Sequence, residues 1–203
     1  MRLAPNSKDL VQFSQSFLGV GIGLEPPPLS AFTNETTSRL TDTLISCICS
    51  GDLPAIDSLL FSSSFMLSPS SPSSISGPIL VNNPDIKGWS PIHHCVAAPN
   101  PSIRVLDALY CAGADVSLFT TYEQQTPLHI LARSFQFTDL SHSLAAFILH
   151  LVQDLRAPLS ARDKNDETCI HIAAEHGQSL DLLTLLLQCD VNGTVRKIKN
   201  SRG

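Results

Sequence analysis

Histidine and cysteine are the residues of this chain whose types could make a chemical site. His93-His94-Cys95 run together, His129 and His171 stand apart, and Cys47, Cys49, Cys111, Cys169 and Cys189 complete the set of soft ligands. A zinc centre needs about four such ligands at about 2.0–2.3 Å, usually delivered by paired Cys-x-x-Cys or His spacings. No such pair occurs, and Cys47 and Cys49, two positions apart, would point about 200° from one another on a helix. Nucleophilic catalysis is no better supplied, because no Gly-x-Ser-x-Gly turn and no Cys/His pair with an orienting acid stands out. Gly19-Val20-Gly21-Ile22-Gly23 is glycine-rich but lacks a following Lys-Ser/Thr, so it does not read as a phosphate loop. The chain is therefore expected to have no catalytic site, no metal and no cofactor, and not to be an enzyme.

The histidines do share a sequence setting. Ser90-Pro91-Ile92-His93-His94-Cys95-Val96, Thr126-Pro127-Leu128-His129-Ile130-Leu131-Ala132 and Thr168-Cys169-Ile170-His171-Ile172-Ala173-Ala174 align on one pattern whose starts, at 90, 126 and 168, lie 36 and 42 residues apart. Periods of this size mark stacked repeats. Each segment starts a helix for a physical reason. A Ser or Thr hydroxyl caps free backbone N–H groups, and proline at the first helical position loses no hydrogen bond because that N–H would be unpaired. An apolar residue and two mostly small residues follow at spacings that share one face, so a neighbouring helix can approach closely.

A second apolar run follows two of these starts, Val105 to Tyr110 and Leu182 to Leu187, and the first ends in Cys111-Ala112-Gly113-Ala114-Asp115-Val116, where Gly113 can supply a helix-stopping left-handed residue. Helix, turn, helix and extended turn make one unit. On these residues the chain resembles the ankyrin-repeat family, which carries Thr-Pro-Leu-His at the first helix and Gly-Ala-Asp after the second. Ser90 to His93, Thr126 to His129 and Gly113 to Asp115 carry the resemblance.

The resemblance implies an all-α solenoid of helix-turn-helix units with extended finger loops. Repeats are expected at about 40–61, 85–117, 121–160 and 163–190, with a further one starting at 191–203. The first copy, Leu44 to Leu60, lacks the Thr-Pro-Leu-His start, as a terminal repeat can. Residues 1–38, with Pro26-Pro27-Pro28, form a disordered arm in this reading, with at most one weak helix around Leu10 to Phe17. The Ser/Pro-rich stretch 62–78 is an inserted loop. Its Ser68-Pro69 and Ser71-Pro72 suit a proline-directed kinase, although a plain solvated linker is the simpler reading. In the third repeat Gln124 replaces the usual turn glycine, and Arg133 to Ser143 lengthens the link between the helices. Gly203 falls where the next Thr-Pro-Leu-His would begin, so the chain reads as cut short, with the apolar flank Leu182 to Leu187 partly uncovered.

The family's histidine implies a buried imidazole bonded to backbone in the neighbouring turn. Its fingers and first helices form the surface that grips a partner protein. Transferred to this chain, the finger positions are Ile86, Lys87 and Trp89, then Tyr122, Glu123 and Gln125, then Lys164, Asn165 and Glu167. The helix positions are Ala97 and Ala98, Arg133 and Ser134, and Glu175 and His176. The protein-binding candidates are Lys87, Trp89, Tyr122, Gln125, Arg133, Lys164, Glu167, Glu175 and His176. Trp89 is either an outward hot spot, as tryptophan often is in interfaces, or a ring folded back onto its own turn.

Charge and hydropathy narrow the partner class. With 13 Lys+Arg against 18 Asp+Glu the formal net charge is −5, which is not the footprint of a nucleic-acid or anionic-membrane binder. The apolar run Phe17 to Leu24 is far shorter than the roughly 20 residues of a membrane span. The cysteines are scattered through helical patterns, which favours thiols in a reducing compartment and an intracellular chain, cytoplasmic or nuclear. The expected function is a protein-interaction module for an unidentified partner, with a possible contact at the open C-terminal repeat face. The alternatives are a regulatory repeat segment of a larger enzyme or transcription regulator and a structural spacer.

Overall fold

The structure, a computed structural model, describes residues 35–61, 77–134, 142–176 and 180–203. Residues 1–34 of the expected arm, with its Leu10 to Phe17 helix, the Ser68 and Ser71 sites, and residues 135–141 of the long link lie outside the described residues. What is described belongs to one compact unit, Phe32–Gly203.

Nine α-helices are described: α1 Glu35–Ser50, α2 Leu53–Phe61, α3 Gly77–Asn82, α4 Pro91–Ala97, α5 Ile103–Cys111, α6 Pro127–Ser134, α7 His142–Leu149, α8 Cys169–His176 and α9 Leu180–Cys189. No strand is assigned among the described residues. The first helices α1, α4, α6 and α8 pack in succession, each against the next, and each is backed by its own second helix where α2, α5 and α9 pair with α1, α4 and α8. The second row continues the stack, with α2 against α5 and α7 against α9. The fold is an all-α solenoid of four layers.

The interior is continuous. Leu44, Ile56, Ile92, Leu106, Leu128, Phe147, Leu151, Ile172 and Leu186 come from all four layers and belong to one buried apolar cluster. The leucines downstream of each start therefore meet across layers, because a single layer has too little apolar surface to enclose a core of its own. Helix ends follow the local chemistry. Pro91 and Pro127 open α4 and α6. At the end of α5, Gly113 takes φ 96°, its N–H bonds to the Tyr110 carbonyl at 2.9 Å, and the Ala114 N–H reaches the Leu109 carbonyl at 2.9 Å.

Several boundaries differ from the sequence expectation. The first helix starts at Glu35, inside the stretch assigned to the arm. Thr37 and Thr41 put their side chains into the core here, a use of threonine that apolar periodicity does not register. The expected 62–78 loop gives way at Gly77 to α3, a one-and-a-half-turn helix whose Leu80 and Val81 are buried against α1 and α4. The Asn82 amide then ties this helix to the second repeat, donating to the Gly113 carbonyl at 2.8 Å and accepting the Asp115 N–H at 2.9 Å. Arg133 and Ser134 are helical, not part of the link. After Leu149, α7 widens into a π-helical turn, His150–Asp154. At the last layer Leu182, Leu185 and Leu186 are buried, while Leu183 and Leu187 are half-buried against the core together with Ile198.

Candidate functional site

Each repeat start closes through its histidine. The hydroxyls of Ser90, Thr126 and Thr168 lie 2.8, 2.7 and 2.9 Å from Nδ1 of His93, His129 and His171. The backbone N–H of the same Ser or Thr points at the same Nδ1, at 3.2, 3.2 and 3.1 Å. A backbone N–H can only donate, so Nδ1 is the acceptor and the neutral ring carries its proton on Nε2. That proton goes to the next layer: Nε2 of His93 lies 3.2 Å from the Gln125 carbonyl and 3.1 Å from that of Leu118, and Nε2 of His129 lies 2.9 Å from the Glu167 carbonyl. The hydroxyl therefore serves the imidazole more than the helix N-terminus; its backbone contact in the fourth layer, from the His171 N–H, is 3.4 Å long.

Burial makes the His93 and His129 rings poor bases. Desolvation pulls His93 down to about 4 despite its carbonyl partners, and lowers His129 in the same direction. Cys95 and Cys169 are buried thiols pushed up to about 12, so neither is a ready thiolate. Since His93 is depressed in the folded state, its contribution to stability is full above the unfolded value near 6.5 and is lost as pH falls towards about 4. Stability is expected to be about 2 kcal/mol lower at pH 5 than at pH 7 from His93 alone. His150 has the opposite sign, raised by hydrogen bonds to Asp107 and Asp154, so its contribution is full below about 6.5 and fades as pH rises through its folded value. Urea unfolding at the two pH values in a His150→Gln background, with and without His93→Gln, separates the His93 effect from that of His129; a midpoint that falls equally in both would refute it.

The finger turns are built by a second repeated device. Asp85 Oδ1 accepts the N–H of Lys87 at 2.8 Å and of Trp89 at 2.9 Å, and Asp163 Oδ1 accepts those of Asn165 at 2.8 Å and Glu167 at 3.0 Å. Thr120 Oγ1 does the same for Gln125 at 2.9 Å, and Asn200 Oδ1 for Arg202 at 3.1 Å. The fingers then join in a row by single backbone bonds: Thr121 N–H to Gly88 O at 3.0 Å, Lys164 N–H to Glu123 O at 3.2 Å, and Ser201 N–H to Asn165 O at 3.2 Å. Close approach explains Gly88, which has φ 77° and where an added Cβ would lie 2.8 Å from Thr121 Cβ. Gln124 and Asp166 take the same left-handed position at φ 52° and 60°, so the turn form survives without glycine at a conformational cost. Asn200 to Gly203 repeats the turn of Asp85 to Gly88, which places Gly203 two residues ahead of the expected motif start. Asp163→Ala removes two backbone anchors and the 3.5 Å contact from Gln125 Nε2. It is expected to cost about 2 kcal/mol in urea unfolding.

The nine candidate residues divide on this frame. Lys87, Tyr122 and Lys164 are exposed at the tips of successive fingers, and Arg133, Glu175 and His176 are exposed at the ends of α6 and α8. Gln125 and Glu167, expected to be exposed, are 2% and 4% exposed. They occupy the position before the Ser/Thr, where the residue's carbonyl is the histidine's acceptor and its side chain turns inward. Gln125 reaches Asp163; Glu167 receives Arg202 and, at 3.1 Å, Asn200. Trp89 holds the same position and is half-buried, packed on the core with its ring 5.4 Å from that of His94. Glu175 is also engaged, gripped by both Arg202 nitrogens at 3.0 and 3.1 Å, which holds its carboxyl below the usual range. Lys164 pairs with Glu123.

Sequence reading missed Asp85, Asp163, Thr120 and Arg202. The aspartates were recoverable, since each stands five residues before its Ser or Thr. Arg202 was not, because its partners lie 35 and 27 residues away. Among the described residues no group of three or more His, Cys, Asp or Glu is arranged to hold a metal, and no helix is long and apolar enough to cross a membrane.

Comparison with known proteins agrees with this frame. The family model described as Ankyrin repeat matches residues 165–196, the end of the third finger and the helices of the fourth layer. Among curated proteins, Alpha-latrotoxin-Lg1a of Latrodectus geometricus is 30% identical over 100 residues, 49% of this chain and 7% of that protein. Alpha-latrotoxin-Lhe1a of Latrodectus hesperus is 31% identical over 101 residues, 49% of this chain and 6% of that protein. The chain thus matches only a small fraction of the length of these relatives. The Ser/Thr–His junction recurs at Ser90, Thr126 and Thr168, and the last of these copies lies in the segment that matches the Ankyrin repeat model, so the all-α stack is consistent with an ankyrin-repeat solenoid.

Proposed function

We propose that the chain is a protein-interaction module that takes its partner along the finger row and the exposed ends of the first helices. The observation that carries this reading is the backbone-bonded row of fingers. It holds Lys87, Tyr122 and Lys164 outward on anchored turns, so a partner meets a surface that is already ordered and little freedom is lost on binding. Large apolar side chains stand out on adjacent tips, with Ile86 92% and Tyr122 59% exposed. Trp89 contributes mainly by packing behind the first finger in this reading, and Gln125 and Glu167 by fixing the turns. A role as regulatory segment of a larger enzyme or transcription regulator uses the same surface and differs only in what is attached to it.

Affinity capture of partners from cell extract tests the proposal, comparing the full chain with Lys87→Ala/Tyr122→Ala/Lys164→Ala and with an Arg104→Ala control on α5. The tip variant is expected to lose at least about tenfold of the captured protein while keeping its helical signal, and the control to lose none. Equal capture by both variants would mark the fingers as bystanders and favour a spacer.

A further inference from the structure

The finger and first-helix surface has an unbalanced charge pattern, although the chain as a whole has a formal net charge of −5. Around the finger tips and the ends of α6 and α8, its exposed or half-exposed carboxylates are already ion-paired or bonded to backbone. Glu123 pairs with Lys164, Asp166 with Arg162 at 3.6 Å, and Glu175 with Arg202 at 3.0 Å. The aspartates at the finger bases are spent on the chain itself, Asp85 on backbone N–H groups and His94 at 3.0 Å, and Asp163 on backbone N–H groups and Gln125. Lys87 and Arg133, in contrast, have no carboxylate within ion-pair distance among the described residues, and both are exposed. What this surface leaves unanswered is positive.

The unpaired positive charge adjoins apolar side chains. Ile86 precedes Lys87 on the first finger, and the Tyr122 ring lies over Gly88 on the second, since a Cβ built on that glycine would be 3.0 Å from Tyr122 Cδ2. We propose, on the basis of the finger-row reading above, that the partner is an acidic segment carrying an apolar side chain. The apolar group settles between Ile86 and Tyr122, and flanking carboxylates meet Lys87 and, along the first-helix row, Arg133. A basic segment would meet the two unpaired cations and would have to compete with Lys164, Arg162 and Arg202 for every carboxylate. Charge complementarity of this kind decides between partners more than it raises affinity, and it is weakened by salt.

Fluorescence anisotropy with the full chain tests this. The probes are a labelled peptide of glutamates around a central Leu-Phe pair, the same peptide with lysine for glutamate, and the glutamate peptide with Gly-Ser in place of Leu-Phe. The glutamate/Leu-Phe peptide is expected to bind at least about tenfold more tightly than either relative, to weaken severalfold between low and physiological salt, and to lose at least about tenfold in Lys87→Glu/Arg133→Glu. Arg104→Glu on α5 should leave it unchanged, and circular dichroism confirms that both variants fold. Equal or tighter binding of the lysine peptide, no binding of the glutamate peptide at about 1 mM, or full affinity in the double variant would overturn the inference. If finger substitutions abolish capture of a native partner whose contact segment is basic, the finger-row reading stands and this inference falls.

Discussion

Phe147→Ala is expected to lower the unfolding free energy by about 4 kcal/mol, the largest effect of any single substitution considered. Phe147 is the largest fully buried side chain among the described residues, contributed by α7 to the interior shared by the layers. Removing its ring forfeits the transfer of an aromatic group from water and leaves a cavity that close-packed neighbours relax into only in part. Chemical denaturation should show a lower midpoint, and near-ultraviolet circular dichroism should show whether the remaining layers keep fixed packing. A loss under about 1 kcal/mol would mean that α7 is not a member of the shared core.

His129→Ala comes second, at about 3 kcal/mol, for a different reason. His129 sits in the third of four layers. Its Nδ1 accepts from Thr126 and its Nε2–H donates to the Glu167 carbonyl at 2.9 Å, so one ring closes its own helix start and holds the next finger. Alanine leaves the Thr126 hydroxyl and N–H and the Glu167 carbonyl without these partners in a buried setting, and an orphaned buried polar group costs about 1–3 kcal/mol. Because the lost bonds run between layers, the unfolding transition should also broaden as the stack behaves less as one cooperative unit. Glutamine keeps a comparable length and an amide donor, so His129→Gln should recover part of the loss. If alanine and glutamine are equally mild, the ring is not bridging layers.

These effects explain how far the sequence alone could be read. The repeat starts were visible because Ser/Thr-Pro and the histidine recur with their spacing, and the leucine-rich second helices were visible as apolar periodicity. The reason for the histidine, a buried imidazole bonded to backbone in the neighbouring turn, came from the family resemblance and not from the residues themselves. Its Nε2 partners at Leu118, Gln125 and Glu167 are backbone carbonyls, which have no residue-type signal and lie 25 to 38 residues away. The same limit accounts for Gln125 and Glu167. As charged or amide residues beside a surface turn they read as exposed, whereas the residue before each cap is held under the next finger. It also accounts for α3, which begins at Gly77 and Pro78, the last two residues of the expected 62–78 loop. Tertiary contact with α1 and α4, and the Asn82 amide on Gly113 and Asp115, make it a helix.

One connection has no counterpart in the repeat pattern. His150, at the first position of the π-helical turn, lies 2.7 Å from Asp107 of α5 and 2.7 Å from Asp154 in its own turn. It links the second-helix row between the second and third layers. The widened turn and the histidine occur together, and neither is signalled by apolar spacing.

The account depends on the imidazoles of successive layers being neutral, fixed in one tautomer and donating forward into the following layer. Long-range nitrogen–proton NMR correlation of the histidine rings measures this directly. For His93 it should show a single Nε2–H tautomer that persists from pH 8 down to about 5, and for His129 the same tautomer held below the pH at which a free imidazole protonates. The ring protons should be slow to exchange and coupled through hydrogen bonds to the carbonyl carbons of Leu118 or Gln125 and of Glu167 respectively. Rings that interconvert between tautomers and titrate near 6.5 like free histidine would contradict it, because no layer would then be bonded to the next through its repeat start.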